Sequence, residues 1–253
     1  MKFLNKKALI TGSSKGIGKA LVLQLAKEGA EVVIHYHKNQ EEAQKIAETI
    51  KKAGGKSHLL HADLFDIDQA IKLGEDAWDI LQGIDYLINN AGVSYKKNFL
   101  DTTLEDIDYF TNINFKSTLL LTKVIANKMV HSNTYGSIYT ITSVNAIQPG
   151  FGFSVYGATK GALETLMKGV ALELAQFNIK VNTIVLGAIA TDINASVWQD
   201  PEKLKAATDR IPMHRFGNTE EVAHVICNLL NCDSYMTGST VKIDGGWLLR
   251  MGN

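Results

Sequence analysis

What the chain has little of narrows it first. Its 253 residues include only 3 prolines and 2 cysteines, Cys227 and Cys232. Two cysteines make no disulfide framework, and these two lack metal-ligand company. Both read as reduced and structural, as expected in the cytoplasm. Neither sign of charge is in excess, with 26 Lys+Arg against 26 Asp+Glu. Bulk charge therefore recruits no nucleic acid or other polyanion. No apolar run approaches the ~20 residues of a membrane span, so no membrane partner is expected. The opening Met1-Lys2-Phe3-Leu4-Asn5-Lys6-Lys7 has no secretory apolar region, and Ala8-Leu9-Ile10 is too short to be one. Repeats, low-complexity tracts and Pro/Gly/Ser-rich linkers are missing, so residues 1–253 read as one domain. His61, His131, His214 and His224 are scattered without metal-ligand spacing, and no metal is expected.

What is present is an ordinary globular composition, 45% apolar, in a chain long enough to bury a large core. Short β-branched runs at Ala8–Ile10, Val32–His35, Ser57–His61, Tyr86–Asn89, Ser137–Thr142, Val181–Leu186 and Thr240–Ile243 read as strands. Between them, Lys19–Lys27, Glu41–Lys52, Ile67–Leu81, Asp106–Val130, Gly161–Gln176 and Glu220–Leu230 carry helical period. This alternation predicts an α/β fold: about seven parallel strands, doubly wound, with helices on both faces. One segment breaks the rhythm. Residues 187–215 carry Pro201 and Pro212, are expected to hold at most one short helix, and suit a substrate lid.

The chemistry concentrates in Tyr156-Gly157-Ala158-Thr159-Lys160, with Ser143 upstream. Positions i and i+4 of a helix share a face, so Tyr156 and Lys160 point the same way. Lowering a phenol pKa from ~10 by roughly 3 units needs about 4 kcal/mol. One cation at ~4 Å supplies about 4 kcal/mol at an effective dielectric of ~20. A lysine one turn away is therefore sufficient to make the tyrosine an acid/base near neutral pH.

The first strand runs into Thr11-Gly12-Ser13-Ser14-Lys15-Gly16-Ile17-Gly18 and then a helix. Small residues let the backbone approach a pyrophosphate, and the helix N-terminus favours negative charge. After the second strand comes His35-Tyr36-His37-Lys38-Asn39, with no acid before Glu41 to take a ribose 2′-hydroxyl. Lys15 and Lys38 suit a 2′-phosphate instead, which predicts NADP(H) over NAD(H).

These motifs, with Asp63-Leu64, Asn89-Asn90-Ala91-Gly92, Asn114, the Gly187-Ala188-Ile189-Ala190-Thr191 turn and the closing Thr237-Gly238…Asp244-Gly245-Gly246, resemble the short-chain dehydrogenase/reductase family over essentially the full chain. The resemblance implies a Rossmann-type domain and hydride transfer between a nicotinamide and a carbonyl or secondary alcohol. It implies that Tyr156 exchanges the proton, Ser143 bonds the substrate oxygen, and Lys160 binds the nicotinamide ribose and lowers the Tyr156 pKa. Asn114, preferred to Asn112, would help hold a relay water. The cofactor contacts implied are Gly12, Ser14, Lys15, Gly16, Ile17 and Gly18 of the turn, then His37 and Lys38. Asp63 would reach the adenine, with Leu64 beside it, or else cap the following helix. Asn90, Ala91 and Gly92 follow at the fourth strand end, then Gly187, Ile189 and Thr191, with Tyr156 and Lys160 shared.

For the substrate, residues 187–195 with Asp200-Pro201-Glu202 and Ile211-Pro212-Met213 resemble bacterial glucose 1-dehydrogenases. Val93-Ser94-Tyr95-Lys96-Lys97 and Asn145-Ala146 depart from those enzymes, and the Thr-Arg-Asp of many 3-oxoacyl-carrier-protein reductases is absent. A sugar or polyol is the favoured small-molecule partner, and a 3-oxoacyl substrate the alternative. A member that binds NADP without catalysis is more remote, because Ser143, Tyr156 and Lys160 are all present. Leu186 replaces the family's usual proline after the sixth strand, which is expected to loosen the start of the lid. Family resemblance also suggests a homotetramer, pairing the helices 106–130 and 156–177, with the tail Trp247–Asn253 in a second interface.

Overall fold

Seven short apolar runs close into a single sheet, because neither face of such a strand can be left in water. The computed structural model of the protein describes residues 1–232 and 235–249. Its strands are β1 (Lys7–Ile10), β2 (Glu31–Tyr36), β3 (Lys56–His61), β4 (Tyr86–Asn89), β5 (Ser137–Ser143), β6 (Lys180–Leu186) and β7 (Thr240–Ile243). Their order is β3-β2-β1-β4-β5-β6-β7, and every pair is parallel.

Successive side chains of a strand point to opposite faces, and the core divides accordingly. Ala8, Ile10, Val32, Ile34 and Ile184 pack with α1 (Gly16–Lys27), α2 (Gln40–Lys52) and α9 (Thr219–Asn231). Leu9, Val33, Leu87, Ile138 and Val181 pack with α3 (Ile67–Leu81), α5 (Ser117–His131) and α6 (Ser154–Leu174) on the other face. The expected doubly wound α/β architecture is present. Strand order reverses between β1 and β4, which opens a crevice at the carboxyl ends of the strands.

Three local expectations are corrected. The helix read across Asp106–Val130 is α4 (Leu104–Phe110), a π-helical turn (Thr111–Lys116), and then α5. Such a turn holds one residue more than an α turn and often marks a functional site. The helix read from Gly161 starts at Ser154. Gly157 sits inside it because a β-carbon there would lie 2.6 Å from the Asn145 carbonyl oxygen. The interruption thus marks a close approach, not a helix boundary.

The 187–215 segment holds more than one short helix. A 3₁₀ turn (Asp192–Asn194) leads to α7 (Ala195–Trp198) and α8 (Pro201–Thr208). Asp200 caps α8 by accepting from the Glu202 and Lys203 amides, with Pro201 in the first turn, a standard helix start. Leu186 is the buried last residue of β6, paired with Ile243. Among the described residues no helix is long and apolar enough to cross a membrane. Residues 250–253 of the tail assigned to an interface lie outside the described residues.

Candidate active site

The crevice is a cleft of roughly 1460 Å³ built from the loops that follow β1 to β6. At one end lies the glycine turn after β1. Gly12 has φ +64°, and a β-carbon on it would approach the Ala91 Cα to 3.0 Å. Only glycine combines that conformation with that contact. The turn is tied from β4, where the Asn90 amide donates to the Thr11 carbonyl at 2.8 Å and the Gly12 carbonyl at 3.3 Å. Thr11 Oγ1 accepts from the backbone amides of Asn90 and Ala91. From β2, His35 Nδ1 accepts from the Gly12 amide at 2.8 Å, while its Nε2 faces the Ala62 carbonyl at 3.1 Å. The Nε2–H tautomer satisfies both contacts. Burial holds the imidazole neutral, with its pKa lowered to about 4.

Ser14, Lys15, Gly16 and Ile17 line the cleft, as do His37, Lys38, Asp63 and Leu64. Gly18 does not. It lies buried beneath, where a β-carbon would meet Asn90 Nδ2 and the Gly12 carbonyl at 2.6 Å. Lys15 and Lys38 are exposed and form no ion pair among the described residues. Asp63 accepts from the Phe65 amide at 3.0 Å and faces His37 Nε2 at 3.5 Å. It does not cap α3; Asp66 does, accepting from the Asp68 and Gln69 amides.

At the other end stand the β5 terminus and the first turns of α6. Tyr156 and Ser143 both line the cleft, as does Ser94, and the Ser143 and Ser94 hydroxyls act to lower the pKa of the phenol. Lys160 is buried, and its Nζ donates to the Ile141 carbonyl at 3.0 Å. Burial pushes the ammonium down to about 8. The expected lowering of the Tyr156 pKa is absent in the free protein. Burial raises the phenol and outweighs the Ser143 and Ser94 hydrogen bonds that lower it.

Asn114 is fully buried behind the cleft wall, on the π turn. Its Oδ1 accepts from the Val93 amide at 2.8 Å and its Nδ2 donates to the Val93 carbonyl at 3.0 Å. Asn112 bonds Lys116 instead, at an exposed site. Between Asn114 and Lys160 sits Gly92, where a β-carbon would lie 3.1 Å from Asn114 Oδ1 and 3.2 Å from Lys160 Nζ. Gly187, Ile189 and Thr191 complete the wall on the side of β6.

Sequence reasoning missed three contributors. Ser94 follows the Asn-Ala-Gly strand end by two positions, and its hydroxyl was the only signal. Asn145 donates to Ser143 Oγ from its backbone and from Nδ2. His35 was visible only as a polar residue in an apolar strand. No group of three or more His, Cys, Asp or Glu is placed to hold a metal among the described residues.

Comparisons bear on what such a cleft does. A family model described as enoyl-(acyl carrier protein) reductase matches residues 12–248. The chain is 34% identical to glucose 1-dehydrogenase of Gluconobacter oxydans, over 98% of this chain and 94% of the relative. It is 35% identical to a 3-oxoacyl-[acyl-carrier-protein] reductase of Aquifex aeolicus, over 97% of this chain and 98% of the relative. A short-chain dehydrogenase from Burkholderia cenocepacia, solved in complex with NADP, superposes with a TM-score of 0.91 at 29% identity. That match covers 98% of this chain and all of the other.

Proposed function

The chain belongs to the short-chain dehydrogenase/reductase family and is an oxidoreductase of alcohol and carbonyl substrates; from that premise we propose an NADP(H)-dependent enzyme in which Tyr156 exchanges a proton with the substrate oxygen. The observation that carries this reading is the Tyr156 phenol on the cleft wall beside Ser143, one helical turn from the buried Lys160. The cleft fits a dinucleotide. Gly12 presents a backbone that no β-carbon could cover, and Lys15 after β1 and Lys38 after β2 line the cleft with no ion pair among the described residues. These would hold a pyrophosphate and a 2′-phosphate, with His37, Asp63 and Leu64 around the adenosine and Gly187, Ile189 and Thr191 toward the nicotinamide. When bound, the nicotinamide supplies the hydride chemistry.

The residues of the chain supply the proton and the orientation. In the reducing direction the Tyr156 phenol gives its proton to the carbonyl oxygen, while Ser143 donates a hydrogen bond to the same atom. In the oxidising direction the phenolate takes the proton back, and the ammonium of Lys160 favours that anion. Asn114 and Gly92 keep Lys160 in register from behind. The 187–215 segment serves as a lid over one domain. A cytoplasmic homotetramer is part of the same reading.

A sugar or polyol is the proposed substrate, supported by the glucose 1-dehydrogenase relative and by polar groups at the substrate end, Ser94, Asn145 and Gln148. The second reading is a 3-oxoacyl substrate. It is favoured by the acyl-carrier-protein reductase relative and by the exposed Phe151 on the cleft wall. One panel decides between them: D-glucose and other aldoses with NADP⁺ or NAD⁺, and L-xylulose and acetoacetyl-coenzyme A with NADPH or NADH. Turnover of sugars only, with NADP(H) favoured, supports the first reading; turnover of the thioester only supports the second. Tyr156→Phe is expected to keep NADPH binding and lose nearly all turnover, and a fully active variant overturns the assigned role.

A further inference from the structure

We propose that Asn145 is a positioning residue, whose carboxamide fixes the rotation of the Ser143 hydroxyl and couples it to the 149–153 loop at the substrate end of the cleft. The inference rests on the reading of Ser143 and Tyr156 given above. It starts from the other end of the amide. The Gly150 backbone N–H lies 2.8 Å from Asn145 Oδ1. A backbone N–H can only donate, so that contact fixes which way the carboxamide faces. Nδ2 is then turned to Ser143 Oγ, 3.3 Å away, and the Asn145 backbone amide donates to the same oxygen at 3.2 Å.

A hydroxyl has two acceptor positions and one hydrogen. With both acceptor positions of Ser143 facing donors from Asn145, its hydrogen is left for the Tyr156 phenol, whose pKa the Ser143 hydroxyl acts to lower. Asn145 is held by close contacts on two sides. Its carbonyl packs where Gly157 has no side chain, one residue after Tyr156, and Gly150 in turn accepts from the Phe153 amide at 3.1 Å. Phe153 stacks edge-on to the Tyr156 ring, with centroids 5.9 Å apart. Asn145 thus joins the reacting hydroxyl to a loop that lines the substrate end.

Two substitutions separate orienting the hydroxyl from anchoring the loop. Asn145→Ala removes both contacts. Asn145→Asp keeps an oxygen for the Gly150 amide but turns a carboxylate toward Ser143, which draws the hydroxyl hydrogen away from Tyr156. The reaction is read as kcat with saturating NADP⁺ and D-glucose, or NADPH and acetoacetyl-coenzyme A if that is the substrate turned over. One lost hydrogen bond corresponds to a fall on the order of tenfold. Asn145→Ala is expected to lose about that much. Asn145→Asp is expected to lose at least as much at neutral pH, with partial recovery on acidification as the carboxyl gains a proton. The limb of the kcat profile set by Tyr156, the acid limb for glucose oxidation and the alkaline limb for thioester reduction, is expected to move to higher pH in Asn145→Ala, with NADPH affinity unchanged.

In a Ser143→Ala background, Asn145→Ala is expected to cost little more. An equal loss in both backgrounds, or an Asp variant with wild-type kcat and pH profile, overturns the proposal while leaving the site reading intact. A Ser143→Ala variant with full activity overturns the site reading, and the proposal with it.

Discussion

The Gly12 amide donates to Nδ1 of His35 across 2.8 Å, so a buried neutral imidazole on β2 supports the glycine turn after β1. Protonation of Nδ1 would remove that acceptor. The folded-state pKa is about 4, against an unfolded 6.5. Between those values the unfolded chain binds more protons, so stability falls as pH drops through the window and is fully present above it. The loss reaches about 3 kcal/mol at the acid end. Urea unfolding of the wild type from pH 7 to 4 is expected to show that decline, and His35→Gln a shallower one. Equal slopes in the two proteins would remove His35 as the cause.

Lys160 contributes the opposite balance of stability and function. Its folded pKa is about 8 against 10.5 unfolded, with burial as the cause. The unfolded chain again binds more protons between those values, so stability rises as pH climbs through them and the cost is complete below about pH 8. Lys160→Met is expected to stabilise the cofactor-free protein by about 1–3 kcal/mol at pH 7, after allowing for the lost bond to the Ile141 carbonyl. The alkaline rise should flatten and turnover should disappear. A destabilised variant contradicts the burial cost.

Gly92 leaves just enough room for the Lys160 ammonium. A β-carbon at 3.2 Å from Nζ and 3.1 Å from Asn114 Oδ1 forces both groups to shift by a few tenths of an ångström. Gly92→Ala is expected to lower kcat on the order of threefold to tenfold, because catalytic geometry tolerates little displacement. Wild-type kcat in a folded Gly92→Ala protein would show that the position of Nζ is not critical.

Lys15 and Lys38, which form no ion pair among the described residues, stand beside the cleft after β1 and β2. The double substitution Lys15→Ala/Lys38→Ala is expected to raise KM for NADP⁺ on the order of tenfold and leave KM for NAD⁺ nearly unchanged. The difference should shrink at high ionic strength. A parallel rise for both cofactors argues against a 2′-phosphate contact.

The sequence by itself determined the seven strands, their helical crossovers and the helix face shared by Tyr156 and Lys160. These follow from periods of two and 3.6 residues, which are local properties of the chain. The glycine turn was legible for the same reason, since a tight turn must be written in adjacent residues. The tertiary structure alone decided what surrounds those groups. His35 meets Gly12, Asn114 meets Val93, and Asn145 joins Ser143 to Gly150 only once the sheet and the π turn are in place. The same holds for the protonation of the reacting pair. Spacing alone suggests a lysine that lowers a phenol pKa, whereas in the folded protein burial lowers Lys160 and raises Tyr156. Desolvation is a sum over everything packed around a group, and no local spacing contains it.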